Sequence, residues 1–392
     1  MKLHTKKRIA GFSLIELMIA MAVTIILLYA TVLAFQNATY SNQIVVQSAD
    51  MSDNLRAGLN LIQQDLQQTG AGIPVGGINI PFTANAAGCG TTPAINRPML
   101  GGKTTFPSCN STMPAVEPGN SLGPALTAPD ALAGTASNPD PSGITDEITV
   151  LYEDNTLKLD SLPVYAPKTA SSAGCPNGSV VLTGTTLVVT FDPTCINLST
   201  AGIAVAVGDL IMLQNPSVTN GTLLCVTGIS LANNSLTFAA GDAFGLNARN
   251  TSDSSGTIAQ LETSGCTPAG SNACFTGITA TRVWMISYYL DNVASPPWVR
   301  LVRAVNFESA SPVGETLENL QFTYNFVDGI TNPSNQSTVP AGNSESQIRS
   351  VNVYLAARSS YNLQQGTHAS YARNNLMTQV SLRSMAYVDR YF

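Results

Sequence analysis

Few residues in this 392-residue chain have the type and setting to do chemistry, and Glu16 stands out among them. It lies near the start of FSLIELMIAMAVTIILLYATVLAF, residues 12–35, and no other charged side chain occurs between Phe12 and Ala49. A carboxylate among aliphatic side chains does ionic chemistry or none. Inside a bilayer an ionised acid is costly enough to mark a functional position whose partner has to be found.

The other reactive types give no site. Histidine occurs twice, at His4 and His368, and there is no CxxC pair, so a zinc centre or His-based triad lacks groups at workable spacing. Neither a GxSxG elbow nor a GxxxxGK[ST] loop is present. Asp209 and Asp242 each follow a glycine, which suits turns. Asp140, Asp146, Glu147 and Glu153 could offer oxygens to Ca2+, but without a DxDxDG-like loop solvated turns are the better account. The reading is a protein with no catalytic residue, no metal and no cofactor.

The seven cysteines, Cys89, Cys109, Cys175, Cys195, Cys225, Cys266 and Cys274, all lie beyond the apolar segment. Disulfides in an oxidising compartment outside the cytoplasm explain them best. Short-range pairs Cys89–Cys109, Cys175–Cys195 and Cys266–Cys274 are candidates, which leaves Cys225 unpaired and buried; sequence alone does not fix connectivity. Charge excludes another class. The net charge is -6, and four of the 18 basic residues (Lys2, Lys6, Lys7, Arg8) sit in the first eleven positions. The remainder carries 14 basic against 24 acidic side chains, a poor partner for nucleic-acid phosphates.

The elements that must position Glu16 follow from composition. About 20 apolar residues span a bilayer as a helix, and the basic cluster before them predicts a cytoplasmic N-terminus. A cleaved signal peptide, with Ala20-Met21-Ala22 as its site, and a plain uncleaved anchor are the bland alternatives; neither explains the carboxylate. No proline occurs between Phe12 and Ile73, and Gly58 is the only glycine before Gly70, so one helix can run from Phe12 to Thr69, about 87 Å. Ile44, Met51, Leu55, Leu59, Ile62 and Leu66 make an apolar stripe on its second half, with Asp50, Asp53, Arg56 and Gln63 on other faces. Gly70, Gly72 and Pro74 stop it. Charged residues are only 11% of the chain, against roughly 25% in ordinary domains, which suggests strands and polar loops beyond the helix. Residues 73–145 are crowded with turn formers. Alternating strands begin at DEITVLYEDN (146–155) and continue through SVVLTGTTLVVTFD, VGDLIMLQNP, TLLCVTGIS and SLTFAAGD. Five more, ATRVWMISYYLDN, WVRLVRAVNF, LENLQFTYNFVDG, IRSVNVYLAARSS and TQVSLRSMAYVDRYF, are expected as a meander over the helix. Phe322, Tyr324, Phe326, Tyr354 and Tyr387 are expected in the core or a subunit interface.

Gly11-Phe12-Ser13-Leu14-Ile15-Glu16-Leu17 after a basic leader resembles the class III signal of type IV pilins and type II secretion pseudopilins. The resemblance implies cleavage between Gly11 and Phe12 by a prepilin peptidase, N-methylation of Phe12, and a salt bridge from Glu16 to the N-terminal ammonium of a neighbouring subunit. More narrowly, GITDEITVLYE, VWMISYYLDN, WVRLVRA, LENLQFTYNF and IRSVNVYLAARS, in that order, resemble PilW-type minor pilins; the J-type pseudopilin of type II secretion shares much of this. DLQQTGAGIP (65–74) resembles the family's Asp-Leu-Arg-x-Ala-Gly helix ending, with Gln67 and Thr69 in place of Arg and Ala. The expected fold is thus α+β, a pilin fold in which a long N-terminal helix packs on an antiparallel sheet, with a β-rich insertion. Its divisions are a leader (1–11), the helix (12–72, with 12–35 in membrane or filament core), the loop region (73–145), a β-rich subdomain (146–279) and the C-terminal sheet (280–392). The expected role is pilus assembly, in a priming or tip complex at the inner membrane and then the cell surface. Implied partners are other minor pilins, the major pilin, the prepilin peptidase and methyltransferase, the assembly platform and inner-membrane lipid. A J-type pseudopilin and a tip adhesin are the alternatives.

Overall fold

The computed structural model describes residues 13–74, 76–81, 112–124, 126, 144–157, 159, 163–165, 174–200, 202–216, 220–247, 258–263, 266–294, 297–306, 308–360, 363–365 and 368–388. It is α+β: one long helix, Leu14–Gln68, followed by antiparallel sheets. The helix has 55 residues, about 82 Å at 1.5 Å per residue. It ends at Gln68, and Gly70 (φ 81°) and Gly72 (φ 69°) then take the left-handed conformation that turns the chain away. Its buried face is Met51, Leu55, Gly58, Leu59, Ile62, Asp65 and Leu66. Ile44 of the expected stripe is only partly covered, because the sheets begin to pack further along.

The five C-terminal strands do not form one meander. Thr279–Ala294 and Pro297–Val305 pair in a seven-stranded sheet, whereas Leu317–Phe326, Ile348–Arg358 and Arg373–Ser381 form a separate three-stranded sheet. Both sheets bury apolar side chains against the same stretch of helix, in one core that includes Leu55, Ile62, Ile286, Leu301, Phe322 and Val353. The last expected strand is also corrected: the strand ends at Ser381, and Arg383–Val388 is a short helix. Thr279–Ala294 is the axis of the larger sheet. One edge pairs with Glu147–Glu153; the other pairs first with Leu210–Asn215 and then with Pro297–Val305. The turn-rich 73–145 region is not all loop, since Val116–Gly119 pairs with Glu147–Glu153 as an edge strand, where Pro118 is tolerated.

A second core lies in a four-stranded sheet ordered Ser179–Thr183, Thr186–Thr190, Ser235–Phe238, Gly228–Ser230. Leu210–Asn215 joins the two bodies by its alternation. Ile211 and Leu213 face this second core, while Leu210 and Met212 face a cluster with Leu151, Val283, Met285 and Phe244. The structure joins Cys175 to Cys195 and Cys266 to Cys274, both beside this second core. Cys225 is buried and free, and its thiol is pushed up to about 12 by burial and then by Asp242 and Asp209. Cys89 and Cys109 lie outside the described residues.

Candidate assembly site

Ser13 is the N-cap of the long helix, and Glu16 occupies the third helical position. The two residues form a capping box in which the Ser13 backbone N–H lies 3.4 Å from Glu16 Oε2. The carboxylate thus sits in the first turn, where the helix dipole favours negative charge. No cationic side chain reaches it among the described residues. Gly11 and Phe12 lie outside those residues.

From Glu16 to Thr39 the helix has nothing among the described residues to pack against. It is long and apolar enough to cross a membrane, and none of its most apolar 18-residue window is buried. Leu14, Ile19, Ile25, Leu28 and Phe35 are all exposed. A continuous apolar cylinder of this kind must be covered by lipid or by other chains. Its polar atoms suit such surroundings. The hydroxyls of Thr24, Thr31 and Thr39 donate to the carbonyls of Ala20, Leu27 and Phe35 at 2.7, 2.7 and 2.9 Å, so each is satisfied without water. Sequence reasoning passed over these threonines, although their placement in and beside the apolar run was the signal.

The other end of the helix is clamped. Asp65 is 3% exposed and accepts from Tyr152 Oη (2.9 Å), Tyr288 Oη (2.5 Å), Arg303 Nε (2.7 Å) and Arg303 Nη2 (3.2 Å). An acid in the last helical turn opposes the dipole, so it requires such partners. Burial raises both phenols, and Asp65 raises them further. Burial works to lower Arg303, but the hydrogen bond and charge of Asp65 outweigh it and hold the guanidinium in its charged form. Three strands of the large sheet, Glu147–Glu153, Thr279–Ala294 and Pro297–Val305, are thereby pinned to the helix that leads to Glu16.

Asp209, Asp154, Asp242 and Asp146 hold local structure together. Asp209 accepts from the Ala206 N–H (2.9 Å), as in a turn, and also pairs with Arg282 (3.2 Å), which in turn bonds Asp154 (2.8 Å). Asp242 accepts from the N–H groups of Phe244, Leu246 and Asn247. Asp146 accepts from those of Ser121 and Phe322. Among the described residues no group of three or more His, Cys, Asp or Glu could hold a metal ion; Asp140 lies outside them. Phe322, Tyr324, Phe326 and Tyr354 are buried, and the Tyr387 side chain lies outside the described part.

Residues 6–30 match the prokaryotic N-terminal methylation motif. The match takes in Gly11, Phe12 and Glu16 together with the first half of the exposed apolar helix, and it gives the chain a type IV pilin-like N-terminus. Comparison with curated proteins and with solved structures returned no significant match.

Proposed function

We propose that this chain is a minor pilin of the PilW type, held in the inner membrane by residues 12–35 with its sheets in the periplasm and then incorporated into a type IV pilus. The prepilin peptidase cuts between Gly11 and Phe12 and the new terminus is methylated. Glu16 then pairs with the terminal ammonium of a subunit already in the filament. The observation that carries this reading is the conjunction of the methylation motif with a helix half that finds no packing partner among the described residues and bears a single acid. A carboxylate entering an apolar assembly unpaired is penalised heavily; one meeting a cation is not. The driving force is therefore removal of an uncompensated charge, which also sets axial register. The bulk of residues 69–392 favours the tip or priming complex over the densely repeated shaft. Assembly, not catalysis, is the function.

Mass spectrometry of the exported chain tests the first step. A terminus at N-methylated Phe12 is expected, and Gly11→Ala should leave the leader attached. A terminus at Val23 would overturn the reading. Recovery of this chain as the repeating shaft subunit would overturn the tip assignment alone.

A further inference from the structure

Sheet edges are managed differently across this molecule. A strand edge with unpaired backbone groups is a template for another chain, and proteins blunt it with proline, charge, bulges or short length. Ser311–Gly314 carries Pro312 and a register shift in its partner; Val116–Gly119 carries Glu117 and Pro118; Gly228–Ser230 has three residues. In the three-stranded sheet the edge formed by Leu317–Phe326 is filled from within. Leu320 O accepts from Asp146 N–H, Phe322 N–H donates to Asp146 Oδ2, Tyr324 exchanges both backbone bonds with Gln336, and Phe326 N–H donates to Pro333 O.

The opposite edge, Arg373–Ser381, carries one charge, Arg373 at its first residue, and none of the other devices. It is nine residues long, pairs with Ile348–Arg358 without a register break, and carries no proline and no charge from Asn374 to Ser381. The direction of its backbone groups follows from parity. Ala372 O accepts from Ser359 N–H, and Leu382 N–H donates to Arg349 O, so even-numbered residues face the neighbouring strand and odd-numbered ones face away. Of the outward groups, the Asn375 N–H is taken by Asn374 Oδ1 (2.9 Å). The N–H groups of Met377, Gln379 and Ser381 and the carbonyls of Asn375, Met377 and Gln379 bond nothing among the described residues.

We infer that this edge receives an extended, uncharged segment of a different polypeptide, which adds a fourth strand to the sheet. A row of donors and acceptors at strand spacing matches the bonding pattern of another extended backbone. The charge pattern sets the occupant's character: the one charge in the edge strand, Arg373, is held by Glu318 at 2.9 Å, and Arg349, on the wall of the adjoining groove, donates to the carbonyls of Ser346 (2.6 Å) and Ile348 (3.1 Å), so Asn374–Ser381 itself presents no ionic group. Met377, 68% exposed, borders an open groove of about 830 Å3 lined also by Asn325, Val327, Arg349, Asn352 and Gln379, and this favours an apolar residue flanked by small polar ones.

Geometry argues against a second copy. Asn374 touches Ser52 and Gly70 lies against Ser384 and Met385, so the helix runs alongside the strand in the same direction. Symmetric pairing of two copies through this edge is antiparallel. It would send the two apolar N-terminal halves to opposite ends, where one bilayer cannot hold both.

Amide exchange on the full chain, extracted in mild detergent with its native partners and compared with the same chain purified alone, tests this. The Met377, Gln379 and Ser381 amides should slow about 100-fold in the assembled form, while their even-numbered neighbours are protected in both. Gln379→Pro removes an N–H that bonds nothing among the described residues; it should leave thermal unfolding and N-terminal processing unchanged and abolish the slowing at Met377 and Ser381. If that variant misfolds, Met377→Lys supplies the same readout. Equal exchange in the two forms overturns the inference, as does a photo-crosslinker at position 377 that returns a second copy of this chain. A chain never cleaved at Gly11 can still show the protection, and a cleaved one can lack it, so this result and the pilin reading fail separately.

Discussion

Glu16 and Asp65 are two acids on one helix with opposite circumstances. Asp65 is surrounded by two phenols and a guanidinium from its own chain, whereas the Glu16 carboxylate meets only the backbone of Ser13 among the described residues. The side chains around them differ in the same way. Near Asp65 the apolar residues form a stripe that the sheets cover; near Glu16 they surround the helix and the sheets leave them bare. A striped helix satisfies itself within the fold, and a uniformly apolar one is addressed to an environment outside it. On the proposed reading, the partner of Glu16 belongs to that environment too.

The comparison breaks most visibly at Asp65. Asp65→Ala leaves Arg303 and two buried phenols unpaired, and loss of one member of such a buried pair should destabilise the domain by about 3–5 kcal/mol. Urea unfolding of the chain in detergent measures it; a loss below about 1 kcal/mol, the ordinary level for a surface pair, would show that the node does not clamp the helix. The disulfides come next. Reducing the Cys175–Cys195 link, which closes a 20-residue separation, should weaken the second core by about 3 kcal/mol. Exchange protection should fall around Val180, Leu187 and Leu236 and stay unchanged around Leu55 and Phe322, since these belong to separate cores.

Much of the architecture could be read before the structure, for physical reasons that also mark where reading fails. The helix declared itself through an unbroken run without proline and a 3.6-residue stripe. Strands such as Glu147–Glu153 and Ile348–Arg358 declared themselves through β-branched and aromatic residues between turn formers. Periodicity identifies a strand but not its neighbour, so the split of the C-terminal strands into two sheets was not legible. Ser381 to Val388 read as strand because the alternation of Val380 and Leu382 runs on into Met385, Tyr387 and Val388 with no glycine or proline to break it. At the helix end, Asp65 lay within a recognisable sequence, yet Tyr152, Tyr288 and Arg303 are 87, 223 and 238 residues away and no local pattern links them. Glu16 stood out because the residues around it in the sequence are apolar.

A smaller effect appears with pH at Asp154. Burial pushes this carboxyl up, but hydrogen bonds from Thr156 and then Arg282 outweigh it and hold it below its ordinary value of 3.8. A folded-state value below the unfolded one gives stability that is whole above that ordinary value and is lost as pH falls through the lowered one. Asp154→Asn should therefore be less stable than the parent at neutral pH, with the gap closing as the solution is acidified. A gap that stays constant down to acid unfolding would show that the Arg282 contact contributes nothing through charge.

The smallest effect on folding should come from Glu16 itself. Glu16→Gln keeps the size of the side chain and an oxygen able to accept from the Ser13 N–H, and it touches no core residue. Unfolding of the sheets should shift by less than about 0.5 kcal/mol, as expected for an exposed site. Cleavage after Gly11 should proceed, because the altered residue lies beyond the bond that is cut. Incorporation into the assembly should nonetheless fail, since the incoming subunit no longer carries the charge that a neighbour's ammonium would meet. Surface pili counted beside the membrane-bound pool measure this directly. Normal incorporation of the Glu16→Gln chain would mean that the exposed helix associates by apolar packing alone, and the contrast with Asp65 would then lose its functional half while its structural half stood.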